Sequence, residues 1–182
     1  FPNDPNTKVI HTRTLVAGTA NIVLDDNAID ENQPQGTAVG NLSVTGGAEG
    51  LTFTYGMAAG TGDADNADFY PEGAPLLAGK PFNFEQKATY LVRISASDQF
   101  GGSFSQPFEI AVKDMNDAPT AVALSNSSVA ENLAAGAAVG NLSATDEDAG
   151  DTHTFELMEG GDAASFVIEG AQLKTAATFN FE

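Results

Sequence analysis

Cysteine and tryptophan are absent from the 182-residue sequence, histidine occurs twice, and lysine and arginine together seven times. Without cysteine there is no disulfide framework, no thiolate metal site and no sulfur nucleophile. His11 and His153 are far apart, and neither has the companions of an acid–base catalyst, so the chain does not read as an enzyme. The shortage of basic residues against 25 acidic ones leaves a formal net charge of −18. That charge repels phosphate backbones and anionic lipid heads, so nucleic acid and membrane surfaces are poor partners, and no nucleic-acid partner is expected. No apolar run approaches the ~20 residues of a bilayer span, so membrane insertion is excluded as well. The hydrophobic fraction is nevertheless 42%, typical of a folded protein, so the acidity does not signal disorder.

What the chain does contain is a repeat. Residues 38–43 read AVGNLS, and so do residues 138–143. Glu31-Asn32 recurs as Glu131-Asn132 and Gly36 as Gly136, all 100 positions on. Residues 82–85 (FNFE) recur as 179–182, with the offset now 97. The first unit is read as 20–118 and the second as 119–182, and the second stops about two-thirds of the way through. Residues 1–19 are an N-terminal extension or the end of an upstream domain, with 8–17 (KVIHTRTLVA) as one strand. The chain therefore reads as a piece of a longer array.

Within a unit the pattern is that of strands. Residues 37–44 alternate, with Val39, Leu42 and Val44 as apolar anchors and a bulge expected near Gly40-Asn41. Tyr90, Val92 and Ile94 share one face of 89–96, and Phe104, Phe108, Ile110 and Val112 share one face of 104–112. The phenylalanines at 53, 69, 82, 84, 155, 166, 179 and 181 read as a core used twice. No stretch of ten residues carries a helical period. Short strands, frequent turns and a unit of about 100 residues predict an all-β fold: tandem immunoglobulin-like Greek-key sandwiches, the second incomplete.

In such sandwiches the strand-end loops gather at two poles. Glu31, Glu85, Asp114 and Asp117 fall at one pole of the first unit, and Asp146 and Asp148 at the facing pole of the second. Carboxylates gathered this closely repel one another unless something neutralises them. Ca²⁺ takes six to eight oxygens in loose geometry, which suits ligands from separate loops, whereas Mg²⁺ requires a tighter octahedron. Zn²⁺ would require histidine or cysteine. The alternating acids of residues 63–68 (DADNAD) lack the glycine and distal glutamate of a calcium loop and read as an acidic turn.

These residues resemble cadherin repeats, in particular the calcium-binding cadherin-like repeats of bacterial surface and RTX-type adhesins. The resemblance covers residues 20–182. Its motifs are Glu31-Asn32, Asn83-Phe84-Glu85, Asp114-Met115-Asn116-Asp117-Ala118-Pro119 and Asp146-Glu147-Asp148. It implies Ca²⁺ at the junction between repeats, with Glu31, Glu85, Asp114, Asp117, Asp146 and Asp148 as ligands. Asn83, the Met115 backbone carbonyl, Asn116 and Asp98 are secondary candidates. The family binds up to three ions. Asn83 stands where the family has aspartate and Ala118 where it has asparagine, which leaves two well-formed ions and a third short of ligands. The first unit carries 45–49 (TGGAE) where the second has its Asp-x-Asp, so the opposite pole of the first unit has few ligands. The implied role is a calcium-stiffened structural and adhesion module of a secreted or cell-surface protein, with neighbouring repeats, a homophilic copy or a surface glycan as partners and strand exchange through the incomplete repeat. The alternative is an accessory polysaccharide-binding module, which the lack of tryptophan disfavours.

Overall fold

The computed structural model describes residues 20–182, so the strand expected over 8–17 lies outside the described residues. The chain falls into two compact units that divide between Met115 and Asn116.

Unit 1 is a two-sheet sandwich. Strands β1 (Asn21–Leu24), β3 (Ala38–Thr45), β6 (Pro75–Ala78) and β5 (Phe69–Pro71) form one sheet, in the order β1-β3-β6-β5. Strands β2 (Ala28–Asp30), β8 (Ser103–Lys113), β7 (Thr89–Asp98) and β4 (Phe53–Met57) form the other, in the order β2-β8-β7-β4. The chain crosses repeatedly between the sheets, as a Greek-key sandwich requires. The alternation read over 89–96 is realised in β7, where Tyr90, Val92, Ile94 and Ala96 are buried. They meet Ile22, Val39, Leu42, Phe69, Leu76, Ala78 and Phe82, with Ile29, Ile110 and Val112 completing the core. Phe69 and Phe82 stack at 4.9 Å, and the Tyr90 ring lies 4.7 Å from Phe82.

The expected bulge in β3 lies between Ala38 and Gly40, where the register with β6 skips Val39. Asp25 fixes it, since the Asn41 N–H and side-chain amide both donate to its carboxylate. Those bonds hold the Asp25 carboxyl below its usual range.

The acidic turn around residues 63–68 is bound by the protein's own cations and N–H groups. Asp65 accepts from the Lys87 ammonium and the Leu91 N–H. Asp68 pairs with Lys80 at 2.9 Å, and Asp63 accepts the Gly60 N–H. Burial would raise the Asp65 carboxyl, but Lys87 and Leu91 outweigh it and hold it below its usual 3.8. A carboxyl lowered on folding contributes stability above its unfolded pKa and loses it as pH falls through the folded value. Asp65→Asn is therefore expected to cost about 1.5–3 kcal/mol at pH 7, the range for a hydrogen bond to a charged group. In urea denaturation that difference should shrink as pH drops below about 3.8.

Unit 2 consists, among the described residues, of one sheet: β9 (Ala121–Leu124), β10 (Ala138–Thr145), β12 (Gln172–Thr175) and β11 (Phe166–Glu169), in the order β9-β10-β12-β11. This is the first sheet of unit 1 repeated, including the shift between Ala138 and Gly140. Val139 is its one fully buried apolar side chain among the described residues. The expectation of a second phenylalanine core needs correction here. Phe181 is 92% exposed, and Phe155, Phe166 and Phe179 are half-buried. Aromatics on one sheet become a core only when a second sheet covers them.

Candidate metal centre

The Glu-Asn motif has a conformational cause. Glu31 leaves β2 with its N–H on the Lys113 carbonyl, and Asn32 then takes φ 59. Asparagine tolerates this left-handed conformation better than most residues. The Asn32 N–H reaches the Phe82 carbonyl at 2.9 Å. The turn folds the Glu31 side chain inward until only 1% of the residue is exposed. One oxygen accepts the Phe84 N–H and the other the Met115 N–H, both at 2.8 Å. In this way Glu31 ties the segment before Glu85 to the end of unit 1. Carboxylate oxygens of Glu31 and Glu85 lie within 4.8 Å, and so do those of Glu85 and Asp114. The fold thus gathers three acids, distant in sequence, at one end of unit 1.

In unit 2, three further acids form a second group. The Asp117 N–H donates to Asp148 Oδ2. The Asp148 N–H donates to Asp146 Oδ1 at 3.2 Å. The Asp146 side chain is only 5% exposed, and its Oδ2 is buried without a hydrogen-bond partner. His153 Nε2 stands 3.6 Å away, beyond hydrogen-bond range. A buried carboxylate oxygen with no donor is costly and rare in folded proteins. A hard cation would satisfy it, so the donor set, all oxygen and acidic, fits Ca²⁺.

Of the secondary candidates, Asn83 Oδ1 accepts the Gln86 N–H, and Asn116 donates its amide to the Asp117 carbonyl. Met115 contributes its N–H to Glu31. Asp98 lies elsewhere. It ends β7, about 30 Å along that strand from Thr89 at ~3.3 Å per residue, and its Oδ1 binds the N–H groups of Phe100 and Gly102. At that end of unit 1 the loop with few acids is closed by a neutral group. Gln99 accepts the Thr52 N–H and donates to the Gly50 carbonyl, both at 2.9 Å. The sequence reading missed His153 as a neighbour of Asp146. The signal was available: His153 occupies the repeat position of Phe53, which packs edge-on against Phe104 in unit 1.

No protein-family model matches the chain. Among curated proteins it is similar to cadherin-4 of Caenorhabditis elegans, with 23% identity over 153 residues. It is also similar to protocadherin Fat 4 of Mus musculus, with 26% identity over 162 residues. These matches cover 80% and 85% of this chain but only 4% and 3% of those proteins. Among solved structures it resembles human protocadherin-24 EC1-2, with a TM-score of 0.62 and 18% identity over 90% of this chain and 82% of that one. Mouse cadherin-23 EC22-24 gives a TM-score of 0.51 and 21% identity, covering 88% of this chain and 55% of that one. The fold is cadherin-like. In this cadherin-like chain Glu31, Asp114 and Asp146 directly follow β2, β8 and β10, and Glu85, Asp117 and Asp148 lie in loops; among the described residues no helix is long and apolar enough to cross a membrane.

Proposed function

We propose that the chain is a calcium-dependent structural and adhesion module of a secreted or cell-surface protein. Ca²⁺ is held jointly by Glu31, Glu85 and Asp114 of unit 1 and by Asp117, Asp146 and Asp148 of unit 2. The observation that carries this reading is the buried Asp146 oxygen without a hydrogen-bond donor, in a unit with eleven acidic side chains and one basic. Support also comes from the connection. Asp114 and Asp117 are three residues apart, so their Cα atoms lie within about 11 Å in any conformation. Ca²⁺ that binds only the assembled joint stabilises it by linkage, about 2.7 kcal/mol at a hundred times the dissociation constant. The role is non-enzymatic, and the partners are neighbouring repeats, a homophilic copy, or a cell-surface or glycan ligand. The narrower reading, a repeat of a bacterial RTX-type adhesin, rests on the motifs alone.

Titration calorimetry tests the ion. Wild-type chain stripped with chelator is expected to bind two Ca²⁺. Asp146→Ala with Asp148→Ala should weaken at least one site tenfold or more, since it removes two of the three unit 2 ligands. Equal heats for wild type and variant, or no heat with either, would contradict the proposal.

A further inference from the structure

The two sheets of unit 1 have edges at β1 and β5 and at β2 and β4. An open edge invites pairing with another chain, and charge or proline along it discourages this. Three of these edges are protected in that way. β1 runs into Asp25 and Asp26, β2 contains Asp30 and stands between Asp26 and Glu31, and β5 contains Pro71 and stands between Asp68 and Glu72. β4 is different: residues 50–62 (GLTFTYGMAAGTG) carry no charge and no proline, and β4 lies in their middle. Its backbone groups can be assigned to one side or the other. The Ala58 N–H donates to the Arg93 carbonyl at 2.8 Å, and the β4–β7 register continues from that pair through Gly56↔Ser95 and Thr54↔Ser97. Antiparallel strands alternate hydrogen-bonded and non-hydrogen-bonded pairs. Thr54 and Gly56 therefore turn their N–H and C=O groups to β7, and Phe53, Tyr55 and Met57 turn theirs away from it. Among the described residues no strand pairs with β4 on that side.

We propose that β4 is a self-pairing edge, which joins two copies of this chain by antiparallel β4–β4 strand addition about a two-fold axis at Tyr55. Three observations select a second copy as the occupant. The first is symmetry. The outward backbone groups belong to Phe53, Tyr55 and Met57, so Tyr55 faces Tyr55 of the copy and Phe53 faces Met57, each pair exchanging N–H and C=O. The second is packing. The side chains of the same three residues lie against the core and remain half-buried, and residues opposite one another in such a pair share a face of the sheet. Each copy thus covers the open flank of the other's Phe53, Tyr55 and Met57. The third is charge. A copy of this chain brings −18 with it, so only a surface clear of acids can approach its own image, and charges beyond ~8 Å are screened at physiological salt. Each chain has one β4, so the pairing closes at two copies. The inference deepens the homophilic part of the proposed function and does not depend on Ca²⁺.

Sedimentation equilibrium and amide hydrogen exchange of the full chain, both in chelator, test this independently of the calcium reading. A reversible monomer–dimer equilibrium is expected at protein concentrations up to about 1 mM, because one strand pair lies at the small end of interface sizes. In the dimer the N–H groups of Phe53, Tyr55 and Met57 should exchange roughly tenfold more slowly or better, while those of Thr54 and Gly56, already bonded to β7, should not change. Thr54→Glu with Gly56→Glu adds charge on the outer face of β4 only. The Thr54 side chain is exposed there, and a Cβ at Gly56 meets nothing closer than Ser95 Oγ at 3.5 Å. Position 54 lies opposite position 56 of the copy, so this variant sets like charges directly against each other and should weaken the dimer roughly tenfold. Thr54→Lys with Gly56→Lys should do the same, and an equimolar mixture of the two variants should restore a dimer, which also shows that both fold. A monomer at every concentration, a dimer that neither variant weakens, protection spread evenly over Phe53–Met57, or growth past two copies would overturn the proposal.

Discussion

Glu31→Ala is expected to destabilise unit 1 by about 3–5 kcal/mol in calcium-free buffer, because hydrogen bonds to a charged group contribute about 1.5–3 kcal/mol each and their loss strands the donors. The Glu31 carboxylate accepts two backbone N–H groups, from Phe84 and Met115, and is 1% exposed. Glu31→Gln should cost roughly half as much, since the amide oxygen keeps one acceptor while its NH₂ faces the other donor. The repeat supplies an internal control in Glu131, which is exposed and accepts from Phe181. Glu131→Ala should cost about 1 kcal/mol or less, a typical net value for one exposed bond. Urea denaturation with chelator present separates these values from any loss of ion binding. Near-equal costs for Glu31→Ala and Glu131→Ala would show that the buried carboxylate is not a fastener of the fold. Glu31 therefore holds the Glu85 and Asp114 segments to β2, beside the ligand role proposed for it.

Gly40→Ala is expected to cost about 3 kcal/mol, at the upper end of the range for overpacking. A Cβ at Gly40 would lie 2.3 Å from the Asp26 carbonyl oxygen and 2.8 Å from Asp25 Oδ1. The obstruction is backbone, so no rotamer change relieves it. The bulge anchored by Asp25 on Asn41 would have to open, taking β3 away from the loop that follows β1. Gly140 is built the same way, with the Asn126 carbonyl oxygen 2.6 Å from the would-be Cβ, which explains why Gly-Asn recurs in both units. Gly50→Ala provides the contrast. Nothing lies within 4 Å of its would-be Cβ, and only its φ of +76 is unfavourable, so about 1–2 kcal/mol is expected from the left-handed conformation. If thermal unfolding gave Gly40→Ala the smaller loss, the close approach would be without consequence.

These cases show which parts of the structure the sequence revealed. Alternation exposed β7 directly, because Tyr90, Val92 and Ile94 form one buried face. Repetition exposed Glu31-Asn32 and Gly40, because each answers a local backbone demand that recurs in the second unit. Contacts that depend on distant chain were hidden. β2 has three residues, too few for a pattern, and is a strand by pairing with β8 some 80 residues on. The Asp65–Lys87 tie could not be separated from an ordinary acidic turn, since only the fold brings Lys87 to it. The exposure of Phe181 ran against its composition because apolar character alone does not determine what covers a side chain. The acid groups were readable as motifs, whereas the buried, donor-less oxygen of Asp146 was not, and that atom gives the strongest local reason for a cation.

The proposed calcium joint is tested most directly by small-angle scattering of the full chain, with excess Ca²⁺ and then with chelator, paired with a melting curve in each buffer. The account predicts a narrow distribution of dimensions and a raised melting temperature with Ca²⁺, and a broader distribution of dimensions and a lower melting temperature without it, with Asp146→Ala/Asp148→Ala behaving in both buffers like the chelated wild type. Identical scattering and identical melting of the wild type in the two buffers would contradict it.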